Sequence, residues 1–173
     1  LLTAIFMAYY CPKKLYGLLK PCTELLAGIP SIVYGFFGMV IIVPCIRTVA
    51  AFFGADVSGS SILAASILLG IMILPTIITV AKSSLDAVPQ PYYEGAVALG
   101  ATHERSVFKI LFPAARSGVL AGVVLGIGRA IGETMAVMMV AGNQPRITGN
   151  LLKGIRTLTT NIVLEMGYAT DLH

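Results

Sequence analysis

The chain has 173 residues, of which 57% are hydrophobic and 12% are charged. An ordinary soluble domain has about 45–50% apolar and about 25% charged residues. With a mean hydropathy of +0.88, a water-soluble fold would leave large apolar patches exposed, which excludes most soluble domains. The formal net charge is only +4 and no run of Lys and Arg occurs, so we expect no nucleic-acid partner. The composition predicts an all-α polytopic membrane protein in contact with lipid.

The cysteines and the first residues of the chain indicate which kinds of site and which protein class to expect. Cys11, Cys22 and Cys45 are odd in number and lack C-x-x-C spacing, which argues against a disulfide framework and against a zinc site. We therefore expect no metal and no cofactor. The chain starts at Leu1 rather than at a Met, inside an apolar stretch, so we interpret 1–10 as a partial span. We expect 1–173 to be a single transmembrane domain that is a fragment of a longer protein.

Three further segments are apolar and long enough to cross a bilayer, which takes about 20 helical residues. They are 25–46, 62–81 and 118–142. The first two contain prolines, which membrane helices tolerate because neighbouring helices and polar side chains re-satisfy the freed backbone groups. Pro75 predicts a kink inside the second of these spans.

The segment 82–117, between the last two spans, carries frequent charges and cannot lie in hydrocarbon. Lys and Arg are retained on the cytoplasmic side of a membrane. The predicted spans place the Lys and Arg residues of the loops on two opposite sides of the membrane. One side has Lys13, Lys14, Lys20, Lys82, Arg105, Lys109 and Arg116, and the other has Arg47, Arg146, Lys153 and Arg156. We therefore expect 82–117 to be a cytoplasmic loop.

Turn residues within this loop predict two short helices separated by a glycine. These turn residues are Pro91, Gly100, Thr102 and Pro113. The second helix would place three apolar residues on one face, namely Val107, Ile110 and Leu111. Composition favours burial of this face against the protein's own helix ends, and a partner protein is the alternative.

The residue spacing in the same loop resembles the EAA loop of the permeases of ATP-binding-cassette importers. That pattern has E-A-A, a glycine after three residues, and I-x-L-P after nine more. Gly95 replaces the first alanine here, and Phe112 replaces the leucine. The resemblance implies a coupling helix that docks in a cleft of a cytoplasmic ATPase dimer, which would also bury the apolar face. The coupling residues that it implies are Glu94, Gly95, Ala96, Gly100, Ile110 and Pro113.

Two charges, Arg129 and Glu133, lie near the centre of the span 118–142. Insertion scales assign about 2.5–3.5 kcal/mol to an Arg at this depth, so neither charge should face lipid. On a continuous helix they share a stripe of about 80° with a row of glycines. The glycines are Gly118, Gly122 and Gly126. The stripe is either a packing surface fixed by a buried salt bridge, or the lining of a passage or subunit interface where Arg129 meets an anion.

Three longer stretches resemble permease subunits of the bacterial high-affinity phosphate importer, of the PstC type rather than the PstA type. They are 24–38, 128–137 (GRAIGETMAV) and 157–168. The resemblance implies the MetI-like fold of type I importer permeases, several membrane passes and the bacterial inner membrane. It implies three partners: a PstA-type second permease subunit, a cytoplasmic ATPase dimer and a periplasmic phosphate-binding protein. Arg129, Glu133 and Thr134 would then line the substrate pathway, with Arg129 as a fixed cation and Glu133 holding its guanidinium.

Two other functions stay open at this stage. One is a permease of the same class for sulfate or molybdate, and the other is a self-sufficient secondary transporter built on the Arg129 and Glu133 pair. We expect no enzyme activity in the chain itself, because the glycines after 126 do not have the spacing of a phosphate-binding loop. His103 and His173 belong to no Ser/His/Asp set. ATP hydrolysis would fall to the partner subunit.

Overall fold

The computed structural model describes residues 1–54 and 57–168, so His173 lies outside the described part of the chain. Helices dominate the described residues, which contain no β-strand and a single isolated bridge between Gly142 and Ile155. The predicted all-α class is confirmed. Eleven α-helices are described, and five of them directly follow or precede one of three π-helical turns and so form longer helical rods.

The α-helices in chain order are α1 (Leu2–Ile5), α2 (Lys13–Gly28), α3 (Ser31–Phe37), α4 (Val43–Phe52), α5 (Ile62–Asp86), α6 (Gln90–Ala98), α7 (His103–Ser106), α8 (Phe112–Ala114), α9 (Arg116–Gly132), α10 (Met135–Val140) and α11 (Leu158–Met166). The π-helical turns are Phe6–Tyr10 after α1, Gly38–Ile42 between α3 and α4, and Val107–Leu111 between α7 and α8.

Two helical rods of the described chain are long and apolar enough to cross a membrane, Ser31–Phe52 and Ile62–Asp86. A third candidate consists of two helical segments, His103–Ala114 and Arg116–Gly132, which are bent by 65° relative to each other. They are long and apolar enough to cross a membrane only when taken together. A chain with two or three such rods is a multi-pass membrane protein.

The ends of these rods differ from the predicted spans. The first rod begins at Ser31 rather than at 25, because Pro30 is extended with ψ 141° and so cannot continue a helix from α2. It then runs past 46 to Phe52. The second continues beyond 81 to Asp86, where Lys82 and Asp86 pair one turn apart. Pro75 lies inside this helix without ending it.

The span predicted over 118–142 is interrupted in the structure. Helix α9 ends at Gly132, and α10 begins only at Met135. The side chain of Glu133 accepts a hydrogen bond from the backbone N–H of Ala136 at 3.1 Å, which satisfies a donor in the first turn of α10. The sequence marks the break only by the two polar residues Glu133 and Thr134 after Gly132, and the apolar residues on either side predicted one continuous span.

The described chain forms two compact units. The first unit comprises Leu1–Gly28 and Ile73–Gly128. Its core brings together the N-terminal helix, the second half of α5, the π-helical turn after α7 and the start of α9. The buried core residues are Ala4, Ile5, Ala81, Leu85, Val107, Leu111, Ala115 and Val119.

The second unit comprises Ile29–Met72 and Arg129–His173, of which the described residues end at Tyr168. Here α3 packs so closely on α10 that a methyl group at Gly35 would lie 2.9 Å from the Cα of Ala136. Its main core cluster consists of Tyr34, Ile46, Ala64, Leu68, Met72, Ala136 and Val140.

The connector between α10 and α11, residues 141–157, caps the N-terminal end of α5 by hydrogen bonds within the second unit. The first N–H groups of a helix have no partner inside the helix. In α5, the N–H of Ile62 donates to the carbonyl of Lys153 at 3.1 Å, and that of Leu63 donates to Leu151 at 2.9 Å. The hydroxyl of Ser61 accepts the next N–H, from Ala64, at 3.3 Å. The connector therefore satisfies polar groups that an apolar surrounding would leave unpaired.

Candidate functional site

The charged loop of the first unit folds into a knob, residues 90–114, built from α6, α7 and α8. Gly100 joins the two halves in the left-handed conformation, with φ +82°, which a residue with a Cβ adopts only at a cost. The hydroxyl of Thr102 accepts the backbone N–H of Arg105 at 3.3 Å and so caps α7. The predicted pair of short helices, with a glycine end and a threonine cap, is confirmed.

One apolar face of the knob is covered by the chain itself. Val107 is 0% exposed and Leu111 is 3% exposed, and both pack in the core with Ile5 and Leu85. The alternative in which the protein's own helices bury this face is therefore the correct one. The expectation that an ATPase cleft would bury it is wrong, because the N-terminal helix and α5 already occupy that side.

A different part of the knob is exposed. Leu99, directly before the Gly100 turn, is 91% exposed, and three other large apolar residues of the knob have about half of their surface free. These three are Tyr92, Val97 and Phe108. Sequence analysis missed Leu99, although a leucine placed just before a left-handed glycine has no helix turn to cover it. We call Leu99 with these three residues the knob tip.

The predicted coupling residues divide between the two sides of the knob. Four of them are exposed and Ile110 is half-buried, while Ala96 is 5% exposed and faces the interior. The exposed four are Glu94, Gly95, Gly100 and Pro113. The structure thus leaves most of the motif exposed, while Ala96 packs inside the knob.

The glycine row of α9 lies against α5 within the first unit. A methyl group at Gly126 would lie 2.7 Å from Cγ1 of Ile77, and one at Gly122 would lie 3.2 Å from Cβ of Val80. At Gly118 it would meet the side chain of Ser84, whose Cβ is 2.7 Å away. A Cβ at Gly118 or Gly126 would come within 3.0 Å of an α5 side chain and force that neighbour to move, so glycine permits this separation of the two helices without any shift.

The charged pair lies where α9 ends, in the second unit. Arg129 is half-buried in the last turn of α9, where a cation is favoured by the helix dipole. Glu133 follows the last helical residue, so the periodicity that aligned it with Arg129 stops before reaching it. Its carboxylate binds the N–H of Ala136, and its carbonyl accepts the hydroxyl of Thr159 at 3.3 Å.

Thr134 is half-buried beside Glu133, and its hydroxyl donates to the carbonyl of Gly132 at 3.3 Å. The structure therefore brings Glu133 and Thr134 together with a third hydroxyl side chain, Thr159. Sequence analysis did not assign Thr159 to the site. The cluster of threonines at 157, 159 and 160 was the available signal, but nothing in the sequence tied it to Glu133, which lies 26 residues away.

A cavity of about 230 Å³ in the second unit lies beside Glu133. Most of its lining is apolar, and its polar side chains are Glu133, Ser66, Thr157 and Thr159. Such a wall of hydroxyls with one carboxylate can accept and donate hydrogen bonds to a small polar solute. Arg129 does not line this cavity, although its neighbour Ala130 does.

Comparison with known proteins gives matches over nearly the whole chain. The sequence is 43% identical to the probable ABC transporter permease protein YqgH of Bacillus subtilis, over 96% of this chain and 53% of that protein. It is 35% identical to the phosphate transport system permease protein PstC of Mesorhizobium japonicum, over 98% of this chain and 57% of that one. The probable PstC of Methanocaldococcus jannaschii is also 35% identical, over 96% and 56%.

The chain thus spans about half the length of the curated relatives that it matches. No solved structure matches it significantly. The family described as the binding-protein-dependent transport system inner membrane component matches residues 1–168. A multi-pass helical chain that resembles phosphate permeases over nearly its full length fits that description, and the resemblance predicted from its motifs is confirmed. The chain belongs to the family of binding-protein-dependent transport system inner membrane components, a family of transport permeases.

Proposed function

We propose that this chain forms part of the membrane pathway of an ATP-driven importer of inorganic phosphate in the bacterial inner membrane. The similarity to relatives named PstC over almost the whole chain carries the choice of phosphate. The partners are a PstA-type second permease subunit, a cytoplasmic ATPase dimer and a periplasmic phosphate-binding protein. The chain performs no covalent chemistry, and the ATPase dimer hydrolyses ATP.

The knob tip is the docking surface for the ATPase in this proposal. Leu99 projects from the Gly100 turn with 91% of its surface exposed, and Glu94 lies on the same exposed helix α6. An exposed apolar residue beside a charged one matches the usual pattern of an interface, in which an apolar centre is surrounded by a polar rim. The opposite face of the knob rests on the N-terminal helix and α5. Movement of the docked knob would therefore displace membrane helices and drive alternating access.

Arg129, Glu133 and Thr134 are the pathway residues in this proposal. A half-buried guanidinium at the end of an apolar helix supplies a fixed positive charge for an anion that has lost its water shell. Glu133, already fixed through Ala136, limits how tightly that anion is held by offering a competing negative charge to Arg129. Thr134 adds a hydroxyl beside Glu133.

The deciding experiment is ATP-dependent uptake of labelled phosphate into vesicles that contain the complete complex. We expect uptake that stops without ATP and that is not reduced by excess sulfate or molybdate. Uptake that sulfate or molybdate suppresses would replace phosphate by another oxyanion. Uptake without an ATPase partner would instead support the secondary transporter.

The role of each site is tested by substitution in the same vesicles. Arg129→Ala is expected to reduce phosphate uptake by at least tenfold at normal expression, while Arg116→Ala, at the exposed start of the same helix, leaves it unchanged. Normal uptake in Arg129→Ala would leave only a packing role for this residue. Leu99→Asp is expected to abolish co-purification of the ATPase, whereas Leu120→Asn, which is also exposed but outside the knob, retains it.

A further inference from the structure

A histidine of the knob is held between two tyrosines in the first unit. His103 is the first residue of α7. Its ring meets Tyr10 edge-on at a centroid distance of 5.1 Å and an angle of 71°, and it meets Tyr93 at 5.7 Å and 77°. Its Nδ1 is also hydrogen bonded to the Tyr93 hydroxyl at 3.0 Å. We call these three side chains the aromatic bracket.

The bracket joins side chains from three structural elements, the N-terminal helix, α6 and α7. Tyr10 ends the N-terminal membrane helix, directly before the extended residue Cys11. Tyr93 lies in α6, the helix that carries Glu94, and His103 opens α7. Edge-to-face aromatic pairs prefer this geometry and resist reorientation more than aliphatic contacts do. The knob is therefore tied to the N-terminal helix by an oriented contact as well as by apolar packing.

A cavity lies next to the bracket and is lined by two of its side chains, Tyr93 and His103. It has a volume of about 450 Å³ and is lined by residues of the N-terminal helix, the end of α5 and the knob. Its lining includes Tyr9, Asp86, Gln90, Tyr93 and His103. The apolar core already joins the knob to the N-terminal helix, for example through Ile5 and Leu111. The bracket adds a second, oriented link beside the cavity, where packing is incomplete.

We propose that His103 is a positioning residue that transmits movement of the knob to the N-terminal membrane helix through Tyr10 and Tyr93. The proposal rests on the proposed function, because it assumes that the ATPase moves the knob. Apolar core residues hold the knob in place, and the bracket sets how far the end of the N-terminal helix follows when the knob tilts. His103 touches neither the substrate nor ATP in this role.

The first test measures the number of ATP molecules hydrolysed per phosphate transported by the complete complex in vesicles. For His103→Ala we expect ATP hydrolysis within twofold of the original and phosphate uptake reduced about fivefold, so that the ratio rises. His103→Phe keeps both ring contacts and should recover most of the coupling. Arg105→Ala, an exposed position in the same helix α7, is the matched control and should leave the ratio unchanged.

A second readout does not depend on the identity of the transported anion. Cys11 follows Tyr10 directly, so an environment-sensitive fluorophore on Cys11, with Cys22 and Cys45 replaced by serine, reports on the end of the N-terminal helix. We expect ATP to change its fluorescence in the otherwise unchanged complex, and we expect His103→Ala to remove most of that change. Thermal unfolding and co-purification of the ATPase establish that the variant is folded and assembled.

The outcomes separate this proposal from the proposed function. No ATP-dependent phosphate uptake by the original complex, together with a normal ATP-dependent signal at Cys11 that His103→Ala abolishes, would overturn the substrate and support the bracket. Normal uptake with an unchanged ratio and an unchanged Cys11 signal in folded, assembled His103→Ala would overturn the bracket and leave the substrate intact. The bracket would also be overturned if Arg105→Ala changed the ratio of ATP hydrolysed to phosphate transported as much as His103→Ala does.

Discussion

Both units use glycine to bring helices together, yet the atoms that face each glycine differ. In the first unit, a methyl group at Gly126 of α9 would meet the side chain of Ile77, with Cγ1 at 2.7 Å and Cδ1 at 2.9 Å. In the second unit, a methyl group at Gly35 of α3 would meet the backbone Cα of Ala136 and the sulfur of Met139, both at 2.9 Å. A side chain can change rotamer to admit an extra atom, whereas a backbone atom moves only with its helix.

This difference indicates which helix contacts tolerate adjustment. At Gly122 and Gly126 the contact between α5 and α9 is formed by branched side chains lying over glycines, so it can adjust there by small side-chain movements at modest cost. The contact between α3 and α10 is formed by main chain against main chain, so α10 is fixed on α3 directly after the break that contains Glu133. The second unit therefore holds Glu133 and Thr134 next to a stiffer helix contact, at Gly35, than the contact between α5 and α9 at Gly126 in the first unit.

The strongest test of this difference is Gly35→Ala. We expect a loss of about 3 kcal/mol, at the upper end for overpacking, because α10 would have to shift as a whole. The measurement is the thermal unfolding midpoint of the complete permease in a fixed detergent. Gly70→Ala is the matched control in the same unit, since a methyl group there meets nothing within 4 Å, and it should be neutral or gain up to about 1 kcal/mol from helix propensity.

The corresponding change in the first unit is Gly126→Ala, for which we expect a smaller loss of about 2 kcal/mol. Ile77→Ala should restore part of it in the double variant, because that change removes the atoms that collide. Gly128→Ala, with open space at its position, serves as the control. A loss in Gly126→Ala that equals or exceeds that of Gly35→Ala would contradict the proposed difference in stiffness.

The knob gives a third and smaller effect that depends on backbone conformation alone. Gly100→Ala meets no atom within 4 Å but imposes a Cβ at φ +82°, so we expect a loss of about 1 kcal/mol. Gly100→Asn should lose less, because Asn tolerates the left-handed region. Gly17→Ala has equal space in helix α2 and should lose nothing. Equal unfolding midpoints for Gly100→Ala and Gly17→Ala would show that the turn adapts to a Cβ.

The smallest effect is expected in the connector of the second unit. Arg156 donates to the carboxylate of Glu165 at 2.9 Å and to the carbonyl of Asn143 at 3.3 Å. Glu165 has 58% of its side chain exposed, so Glu165→Gln should lose about 0.5 kcal/mol or less, and less still in high salt. A loss that is large and independent of salt would mean that the connector depends on this ion pair rather than on its backbone hydrogen bonds.

Local signals predicted the knob well. A proline in the first turn, a glycine at the left-handed position and a threonine cap each act within a few residues, so α6, the Gly100 turn and the start of α7 could be derived from the sequence. The choice of what covers Val107 and Leu111 could not, because it depends on Ile5 and Leu85, which are distant along the chain.

The pathway region was harder to predict for a physical reason. The polar interruption at Glu133 and Thr134 is only two residues long between apolar stretches, and Glu133 stabilises the break through its own side chain, which is not the usual serine, threonine or aspartate cap. The alignment of Arg129 with Glu133 assumed one continuous helix, and that assumption fails one residue before Glu133. Thr159 joins the site only through a long-range hydrogen bond, a kind of contact that periodicity does not encode.

The connector after α10 has a practical consequence for mapping the chain across a membrane. An epitope tag or protease site placed near 151–153 would separate the carbonyls of Leu151 and Lys153 from the amides of α5, and the tagged chain would report on a damaged protein. Ile147, by contrast, is fully exposed, and no backbone hydrogen bond to α5 originates from it among the described residues. A tag inserted between Ile147 and Thr148 would therefore report the sidedness of this segment with the helix start left intact.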